Sequence, residues 1–373
     1  MKNPLTEEEY LRRSNPRTPD IRGDYFRDQT AIIHSTAFRR LKHKTQVFFA
    51  PANDHICTRI EHVLHVGTIA SAICKGLNMQ QWNLNPDMAY AIGLGHDLGH
   101  TPFGHAGEKA IENYLGNRMS FYHEMNSYRI VEWLANQGKG LNLTYGVKDG
   151  IVCHNGERDE QFLKPDPEFK NLPDIKDRKV IPSSFEGCIV RMSDKIAYLG
   201  RDVEDAIQVG VIEPGDIPYQ IASRLGTSNS KIISELVADL IEYSKDKDHI
   251  GFSDEVFGLM RSLKKFNYEN IYFHETVQTY EKFCDNMIAR LYNHLEELFN
   301  KNKHDYDKYT FEKLELDISF GQYLRSMEEF YRSEGSSALQ QITDYISGMT
   351  DNFCLNAIQQ ISIPKPITIQ HNK

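Results

Sequence analysis

The sequence contains no long apolar run. No window of its 373 residues approaches the roughly 20 consecutive apolar residues that a membrane-spanning helix needs. The first residues, MKNPLTEEEYLRR, lack the apolar centre of a secretory signal peptide. We therefore expect a soluble, cytoplasmic protein with no membrane partner.

Cysteine is scarce and scattered. The six cysteines form no CxxC pair, so neither a disulfide framework nor a zinc–thiolate site is indicated. We interpret them as reduced and mostly buried thiols. Internal repeats and low-complexity segments are also absent, so the sequence shows no linker between two domains.

The sequence has no excess of positive charge. Its formal net charge of −9 disfavours a protein that coats nucleic acid through bulk electrostatics, although a local basic groove is compatible with it. One cluster of basic residues is a candidate: Arg39, Arg40, Lys42, His43 and Lys44. We expect this cluster to divide between residues near a substrate and residues on a solvated face.

Strict alternation of apolar and polar residues is scarce, whereas apolar residues recur at helical spacing in most segments. Residues 59–77 have an apolar face with steps of three and four, which predicts an amphipathic helix. Ser183 and Glu186 have the capping-box spacing, which predicts a long helix from Glu186 to about Gly210. We therefore expect an all-α chain.

Two breaks divide the helical pattern. Four prolines within 164–182 predict an irregular loop, and EPGDIP at 213–218 predicts a second break. Helical patterns follow near 229–245, 253–265, 271–300, 308–332 and 337–360, with short polar breaks. We expect a single large helical domain over 1–373, with a core at about 55–210 and a C-terminal helical part at about 215–373.

The stretch AIGLGHDLGHTPFGHAGEKA (91–110) combines three histidines and two carboxylates with six glycines or prolines. His96 and Asp97 are adjacent, so both reach one divalent ion only if the backbone bends or a helix ends there. We expect the glycines and Pro102 to supply that freedom. A lone His-Asp pair is weak evidence and needs partners elsewhere.

Two distant residues are candidate partners. His62 lies three residues after Arg59 on the amphipathic helix, where it can border the core and face a cleft; a satisfied histidine at a helix edge is the alternative. Asp194 interrupts an apolar helical stretch, and a buried carboxylate needs a cation or a hydrogen-bond network. An ion pair with Arg191 or Lys195 is the alternative there.

The set His62, His96, Asp97 and Asp194 has the order H…HD…D, and its context resembles the HD-domain phosphohydrolases, in particular the deoxyguanosine triphosphate triphosphohydrolase (dGTPase) family. The blocks that resemble this family extend over most of the chain. They are YFRDQTAIIHSTAFRRLKHKTQVF (25–48), RIEHVLHVG (59–67), GHDLGHTPFGHAGE (95–108), HEMNS (123–127), CHNGE (153–157), SDKIAYLGRDVEDA (193–206) and DYISGMTD (344–351). The resemblance implies an HD-domain helical fold with additional C-terminal helices.

The resemblance also implies residue roles. One divalent cation per chain, Mn²⁺, Mg²⁺ or Fe²⁺, is expected on a set of two imidazoles and two carboxylates. Its ligands are His62, His96, Asp97 and Asp194. His105 and Glu108, spaced i to i+3 on one helix face, match a catalytic pair, and His123 is a further catalytic candidate. Helix caps or packing against aromatic rings are the alternative roles of these histidines.

The implied substrate-binding residues are Gln46, Arg59, His100, Lys195, Tyr198 and Asp202. Arg59 and Lys195 match phosphate-binding positions, since a nucleoside triphosphate with about four negative charges needs converging cations. The resemblance implies that Tyr198 packs under the sugar and excludes a 2′-hydroxyl, while Asp202 and Gln46 bind the 3′-hydroxyl. A buried tyrosine and a surface aspartate are the alternatives.

The implied reaction is hydrolysis of a deoxynucleoside triphosphate (dNTP), with dGTP favoured, to a deoxynucleoside and inorganic triphosphate. The resemblance also implies a homo-oligomer and regulation by a dNTP or single-stranded DNA. Two other readings stay open. An HD-type phosphodiesterase or nucleotidase could hold a second metal with His100 and His105, and a dNTP or single-stranded-DNA sensor could use the pocket without turnover.

Overall fold

A computed structural model describes residues 1–48, 55–155 and 158–363. These residues form an all-α fold, as the sequence predicts. The helices of the first half are α1 (Glu7–Leu11), α2 (Asp24–His34), α3 (Thr36–Arg40), α4 (Arg59–Asn78), α5 (Pro86–Gly95), α6 (Gly104–Leu115), α7 (His123–Arg129), α8 (Ala135–Gly138), α9 (Tyr145–Val152) and α10 (Phe185–Gln208). Residues 156–157, the last two of the CHNGE block, lie outside the described residues.

The second half is also helical. Its helices are α11 (Tyr219–Leu225), α12 (Asn229–Ser244), α13 (Asp254–Asn267), α14 (Glu275–Asn302), α15 (Tyr306–Thr310), α16 (Glu315–Ser326), α17 (Glu328–Glu334), α18 (Ala338–Ser347) and α19 (Asp351–Ser362). The strands β1 (Phe162–Leu163) and β2 (Ile250–Gly251) form a short antiparallel pair. A π-helical turn, Tyr268–Tyr272, lies between α13 and α14.

Several predicted boundaries differ from the observed ones. The segments predicted near 308–332 and 337–360 are each divided, because α15, α16 and α17 are separate helices and residues 348–350 separate α18 from α19. The predicted loop at 164–182 is irregular apart from a 3₁₀ turn, Leu172–Asp174. The break at 213–218 contains a similar turn, Pro214–Asp216.

Helix α10 begins at Phe185, one residue before the predicted start at Glu186, and its N-cap lies one residue after the Ser183 of the predicted capping box. Ser184 is the N-cap, and its hydroxyl accepts a hydrogen bond from Gly187 N at 3.0 Å. Ser183 instead donates its hydroxyl to Asp149 at 2.9 Å, and Glu186 accepts from Asn85 N at 2.7 Å. The capping-box prediction was wrong because both side chains have partners distant in the sequence.

Helices α4 and α5 pack closely through two glycines. A Cβ atom on Gly93 would lie 2.6 Å from the Cα of Gly67, which is too close for any side chain. Gly93, Gly95 and Gly99 are not among the glycines with positive φ. These three glycines therefore do not adopt a left-handed backbone, and Gly93 permits a close helix contact instead; in the same stretch only Gly104, with φ of 60°, has a conformation that favours glycine.

Two apolar clusters occupy the interior. One lies mainly among α4, α5, α9, α10, α12 and α13, and the other mainly among α6, α14, α16, α18 and α19. All six cysteines are buried and free. Among the described residues, no helix is both long enough and apolar enough to cross a membrane.

Candidate metal centre and catalytic cavity

The four predicted metal ligands come from three elements and converge at one point. His62 lies on α4, His96 and Asp97 directly follow α5, and Asp194 lies on α10. His62 Nε2 is 3.0 Å from Asp194 Oδ1 and 3.8 Å from Asp97 Oδ2. His96 Nε2 is 3.4 Å from Asp97 Oδ1 and 3.8 Å from Asp194 Oδ1. The ligand atoms of His62, His96 and Asp194 all lie within 4.8 Å of one another, and those of His96, Asp97 and His154 form a second, overlapping group.

The tautomer of His96 also fits a metal. Its Nδ1–H donates to the Gly93 carbonyl at 2.7 Å, so the lone pair of Nε2 faces Asp97 and Asp194. This buried nitrogen has no hydrogen-bond partner among the described residues. A histidine that donates one ring nitrogen to a carbonyl and leaves the other for an ion is a common arrangement at metal sites.

The environment of the cluster favours the charged form of both carboxylates. Burial raises the pKa of Asp194, but the hydrogen bond from His62 and the nearby histidines outweigh it and lower the pKa to about 2. Burial acts likewise on Asp97, yet His100, His96 and Arg59 hold its pKa well below the usual value. Arg59 Nη1 donates to Asp97 Oδ2 at 2.5 Å. The ion pairs of Asp194 with Arg191 or Lys195 are not observed, since both cations face Glu160.

A second group of histidines lies beside the metal cluster. His100 stacks on His123 with ring centroids 3.9 Å apart, and His100 Nε2 is 3.2 Å from Asp97 Oδ1. Glu108 accepts from His123 Nδ1 at 2.8 Å and from His123 N at 2.9 Å. Burial opposes a charge on His123, but Glu108 raises the pKa of that imidazole to about 10.

The predicted pair of His105 and Glu108 is looser than expected. His105 Nδ1 is 3.8 Å from Glu108 Oε2, whereas His123 is within hydrogen-bond distance of the same oxygen. The side chain of His105 is 52% exposed and lies at the cavity. Glu108 is therefore nearer to orienting His123 than His105.

A cavity of about 570 Å³ opens beside these clusters, and most predicted site residues line it. They are Gln46, Arg59, His62, Asp97, His100, His105, Glu108, His123, Asp194, Tyr198 and Asp202. Asp202, which could have been a surface residue, is buried, and burial raises its pKa to about 6. His96 is fully buried and is not among the residues that line the cavity.

Lys195 does not line the cavity. Its Nζ lies 3.7 Å from Glu160 Oε2, and burial lowers its pKa to about 8. The expectation that Lys195 reaches the same pocket as its neighbour Asp194 is therefore not met. Adjacent helical residues point about 100° apart, so proximity in sequence is a poor guide to a shared pocket.

Two protein-family models match the chain. Residues 59–199 match the family model of the HD domain, and residues 250–360 match that of the phosphohydrolase-associated domain. Three relatives are named deoxyguanosinetriphosphate triphosphohydrolase-like proteins. They are from Caldanaerobacter subterraneus subsp. tengcongensis (37% identical, covering 93% of this chain and 87% of the relative), Desulfatibacillum aliphaticivorans (35%, 95% and 92%) and Clostridium tetani (34%, 93% and 87%).

The chain belongs to the HD-domain phosphohydrolases of the dGTPase-like family. The buried His/Asp cluster of this HD phosphohydrolase suits a metal ion, in keeping with the metal dependence of HD domains. None of the basic residues of the 39–44 cluster, all of them described, lines the cavity. Lys44 is buried, and its ammonium donates to the carbonyls of His100 and Ser347.

Sequence reasoning assigned no role to several residues of the HD phosphohydrolase site. His154, within the CHNGE block, donates Nδ1–H to the Ile151 carbonyl at 2.6 Å, so its Nε2 accepts from His123 Nε2 at 3.3 Å. Arg178, from the irregular loop, lines the cavity and donates to Glu124 at 2.8 Å. The CHNGE block was the available signal for His154.

The far wall of the cavity is aromatic and was also missed. It comes from the π-helical turn and the start of α14, and its residues are Tyr268, Tyr272, Phe273, Val277, Gln278 and Tyr280. The hydroxyl of Tyr272 donates to Asp202 Oδ2. The aromatic density of YENIYFHETVQTY (268–280) was a signal, but helical spacing alone could not assign this segment to the cavity.

Proposed function

We propose that this HD phosphohydrolase hydrolyses deoxynucleoside triphosphates at the α-phosphorus, with dGTP as the first substrate to test. The products are a deoxynucleoside and inorganic triphosphate. The observation that carries the proposal is one cavity whose walls combine a His/Asp cluster that could hold a metal ion, a histidine–carboxylate group and an aromatic wall. The names of the relatives support the substrate class.

His62, His96, Asp97 and Asp194 would hold one divalent ion, Mn²⁺, Mg²⁺ or Fe²⁺. When bound, such an ion polarises a phosphoryl oxygen and lowers the pKa of bound water. Arg59 would offset charge on the phosphates, because its Nη2 has no hydrogen-bond partner among the described residues. His100, whose buried ring borders the same cavity, is proposed to approach the phosphates.

In the proposed step, water attacks the α-phosphorus, the bond to the 5′-oxygen breaks, and that oxygen receives a proton. His105 is the first candidate for the proton donor because it is the more open of the two histidines on the cavity. His123 is the second, with its charged form stabilised by Glu108. Positioned acids of this kind contribute about 10²- to 10⁴-fold to rate.

The sugar is proposed to lie further along α10. Tyr198 and Asp202 follow Asp194 at intervals of four, which places Asp202 about 12 Å along the helix at 1.5 Å per residue. That distance is about the reach from a phosphate to the sugar. Tyr198 would exclude a 2′-hydroxyl, while Asp202 and Gln46 would bind the 3′-hydroxyl.

The test is product analysis with each of the four dNTPs and either Mg²⁺ or Mn²⁺. Deoxynucleoside plus inorganic triphosphate supports the proposal. Monophosphate plus pyrophosphate, or diphosphate plus phosphate, contradicts it even if the dNTP is consumed. In the same assay, His62→Ala should lose turnover while the protein stays folded.

A second candidate, an HD-type phosphodiesterase or nucleotidase, is favoured by one observation. His100, His105 and Glu108 form a further group whose ligand atoms lie within 4.8 Å of one another. Two bound ions per chain would favour this candidate over a one-metal triphosphohydrolase. A sensor without turnover is disfavoured because no residue of the predicted metal-ligand set is missing from the sequence. We also propose a homo-oligomer, which size-exclusion chromatography would test, and regulation by a dNTP or single-stranded DNA, which binding experiments would test.

A further inference from the structure

The segment DYISGMTD (344–351) has no role in the proposed function, yet it contacts α3, the loop after α3 and the end of α7. Asp344 accepts from Arg129, at the end of α7, through both carboxylate oxygens at 2.8 Å. The Gly348 carbonyl accepts from Arg40 Nη1 at 2.9 Å, and the Ser347 carbonyl accepts from Lys44 Nζ at 2.9 Å. Side chains from segments distant in sequence thus meet at residues 344–351.

Asp351 makes the most direct of these contacts. Its Oδ2 accepts from the backbone N of Thr45 at 2.8 Å and from the Thr45 hydroxyl at 2.6 Å. Its Oδ1 accepts from the backbone N of Phe103 at 2.8 Å. One buried carboxylate therefore joins the loop after α3 to the turn before α6.

Both joined segments border the cavity. Thr45 precedes Gln46, which lines the cavity, and the Thr45 carbonyl accepts from Arg59 Nε at 3.2 Å. Phe103 has a left-handed backbone with φ of 69°, which a bulky residue adopts only when its surroundings hold it there. Helix α6, with His105 and Glu108, begins at the next residue.

We propose that Asp351 is a positioning residue of the active site: it holds the Thr45–Gln46 backbone and the Phe103 turn in register, so that Gln46, His105 and Glu108 face one cavity. Lys44 acts alongside it, since its ammonium joins the carbonyls of His100 and Ser347. The activity readout below rests on the proposed function, whereas the exchange readout does not.

The experiment is Asp351→Asn, which keeps the shape but replaces one acceptor oxygen with an NH₂ group that cannot accept. Asp28→Asn is the matched control. Asp28 is buried and accepts from Thr144 N at 2.9 Å and from the Thr144 hydroxyl at 2.7 Å, the same pattern as at Thr45. Neither Asp28 nor Thr144 lines the cavity.

Asp351→Asn is expected to lower kcat/KM by about 10- to 100-fold, because small displacements of positioned groups cost that much. The loss should appear in kcat as well as in KM, since His105 and Glu108 move together with Gln46. Asp28→Asn should keep kcat/KM within about twofold of the wild-type value, even if it loses as much thermal stability as Asp351→Asn does. Equal kinetic losses in both variants, or wild-type kinetics in Asp351→Asn, would overturn the proposal.

Amide hydrogen exchange supplies a readout without substrate. Exchange at Thr45 and Phe103 should accelerate in Asp351→Asn and not in Asp28→Asn, and unchanged exchange refutes the contact's role whatever the substrate is. Failure of the wild-type protein on every dNTP would instead refute the proposed function. If Asp351→Asn does not fold, Thr45→Val, which removes only the hydroxyl donor, takes its place with Thr144→Val as its control.

Discussion

Replacement of Gly93 by alanine tests whether the α4–α5 contact positions the metal ligands. The new Cβ would lie 2.6 Å from the Cα of Gly67, and a backbone atom cannot move aside as a flexible side chain can. The helices must separate by roughly 1 Å to restore the ~3.5–4.0 Å of a favourable carbon contact. Overpacking of this kind costs about 1–3 kcal/mol, against about 1 kcal/mol gained from helix propensity, so we expect a net loss of up to about 2 kcal/mol.

The same separation moves His62 on α4 away from His96 after α5. Metal sites tolerate ligand shifts of about 0.2 Å, so Gly93→Ala should also weaken binding of Mn²⁺ by about 10- to 100-fold, a loss comparable to that caused by mutating outer-shell partners. Urea unfolding and metal titration measure the two effects.

The control is Gly258→Ala, because a Cβ there meets nothing within 4 Å. It lies within α13 and should gain up to about 1 kcal/mol of stability without a change in metal affinity. Wild-type stability and wild-type metal affinity in Gly93→Ala would refute the packing argument.

Three further predictions concern the cavity. Glu108→Gln removes the carboxylate that raises the pKa of His123 to about 10. The imidazole pKa, measured by NMR, should then fall toward ~6.5, and kcat should fall about 10²-fold or more. An unchanged His123 titration would contradict this. Burial raises the pKa of Asp202 to about 6, so kcat/KM should decline as pH falls through about 6 and the carboxylate loses its charge, and Asp202→Asn should remove that inflection. A raised acid pKa means that the folded state binds more protons than the unfolded state. Asp202 should therefore lower the free energy of unfolding as pH rises from about 3.8 to about 6. An equally steep pH dependence of stability in Asp202→Asn would contradict this role of Asp202. Tyr198→Ala should raise hydrolysis of ribonucleoside triphosphates relative to dNTPs, measured as a ratio of kcat/KM values, and an unchanged ratio would remove Tyr198 from sugar selection.

Local patterns in the sequence predicted the helices well where one face of the helix is buried throughout. The apolar steps from 59 to 77 gave α4 nearly to its ends, since the observed helix is Arg59–Asn78. The start of α10 was misassigned by one residue because Ser183 bonds to Asp149, a partner 34 residues away in the sequence. Local spacing contains no information about such a partner.

In the candidate site, too, some features could be predicted from the sequence and others depend on distant contacts. The motif order predicted that His62, His96, Asp97 and Asp194 share one site. In the structure each of the two histidines has a ring nitrogen within 4 Å of both carboxylates. The direction of Lys195, the preference of Glu108 for His123 and the aromatic wall at Tyr272 depend on how helices pack around α10. Those features follow from tertiary contacts, which one sequence does not reveal.

The triphosphohydrolase reaction itself is best observed by ³¹P NMR of the purified protein with dGTP and Mn²⁺. We expect signals of inorganic triphosphate with no monophosphate, and no reaction with His62→Ala. Pyrophosphate or orthophosphate as the first product, or full activity in His62→Ala, would contradict the proposed function.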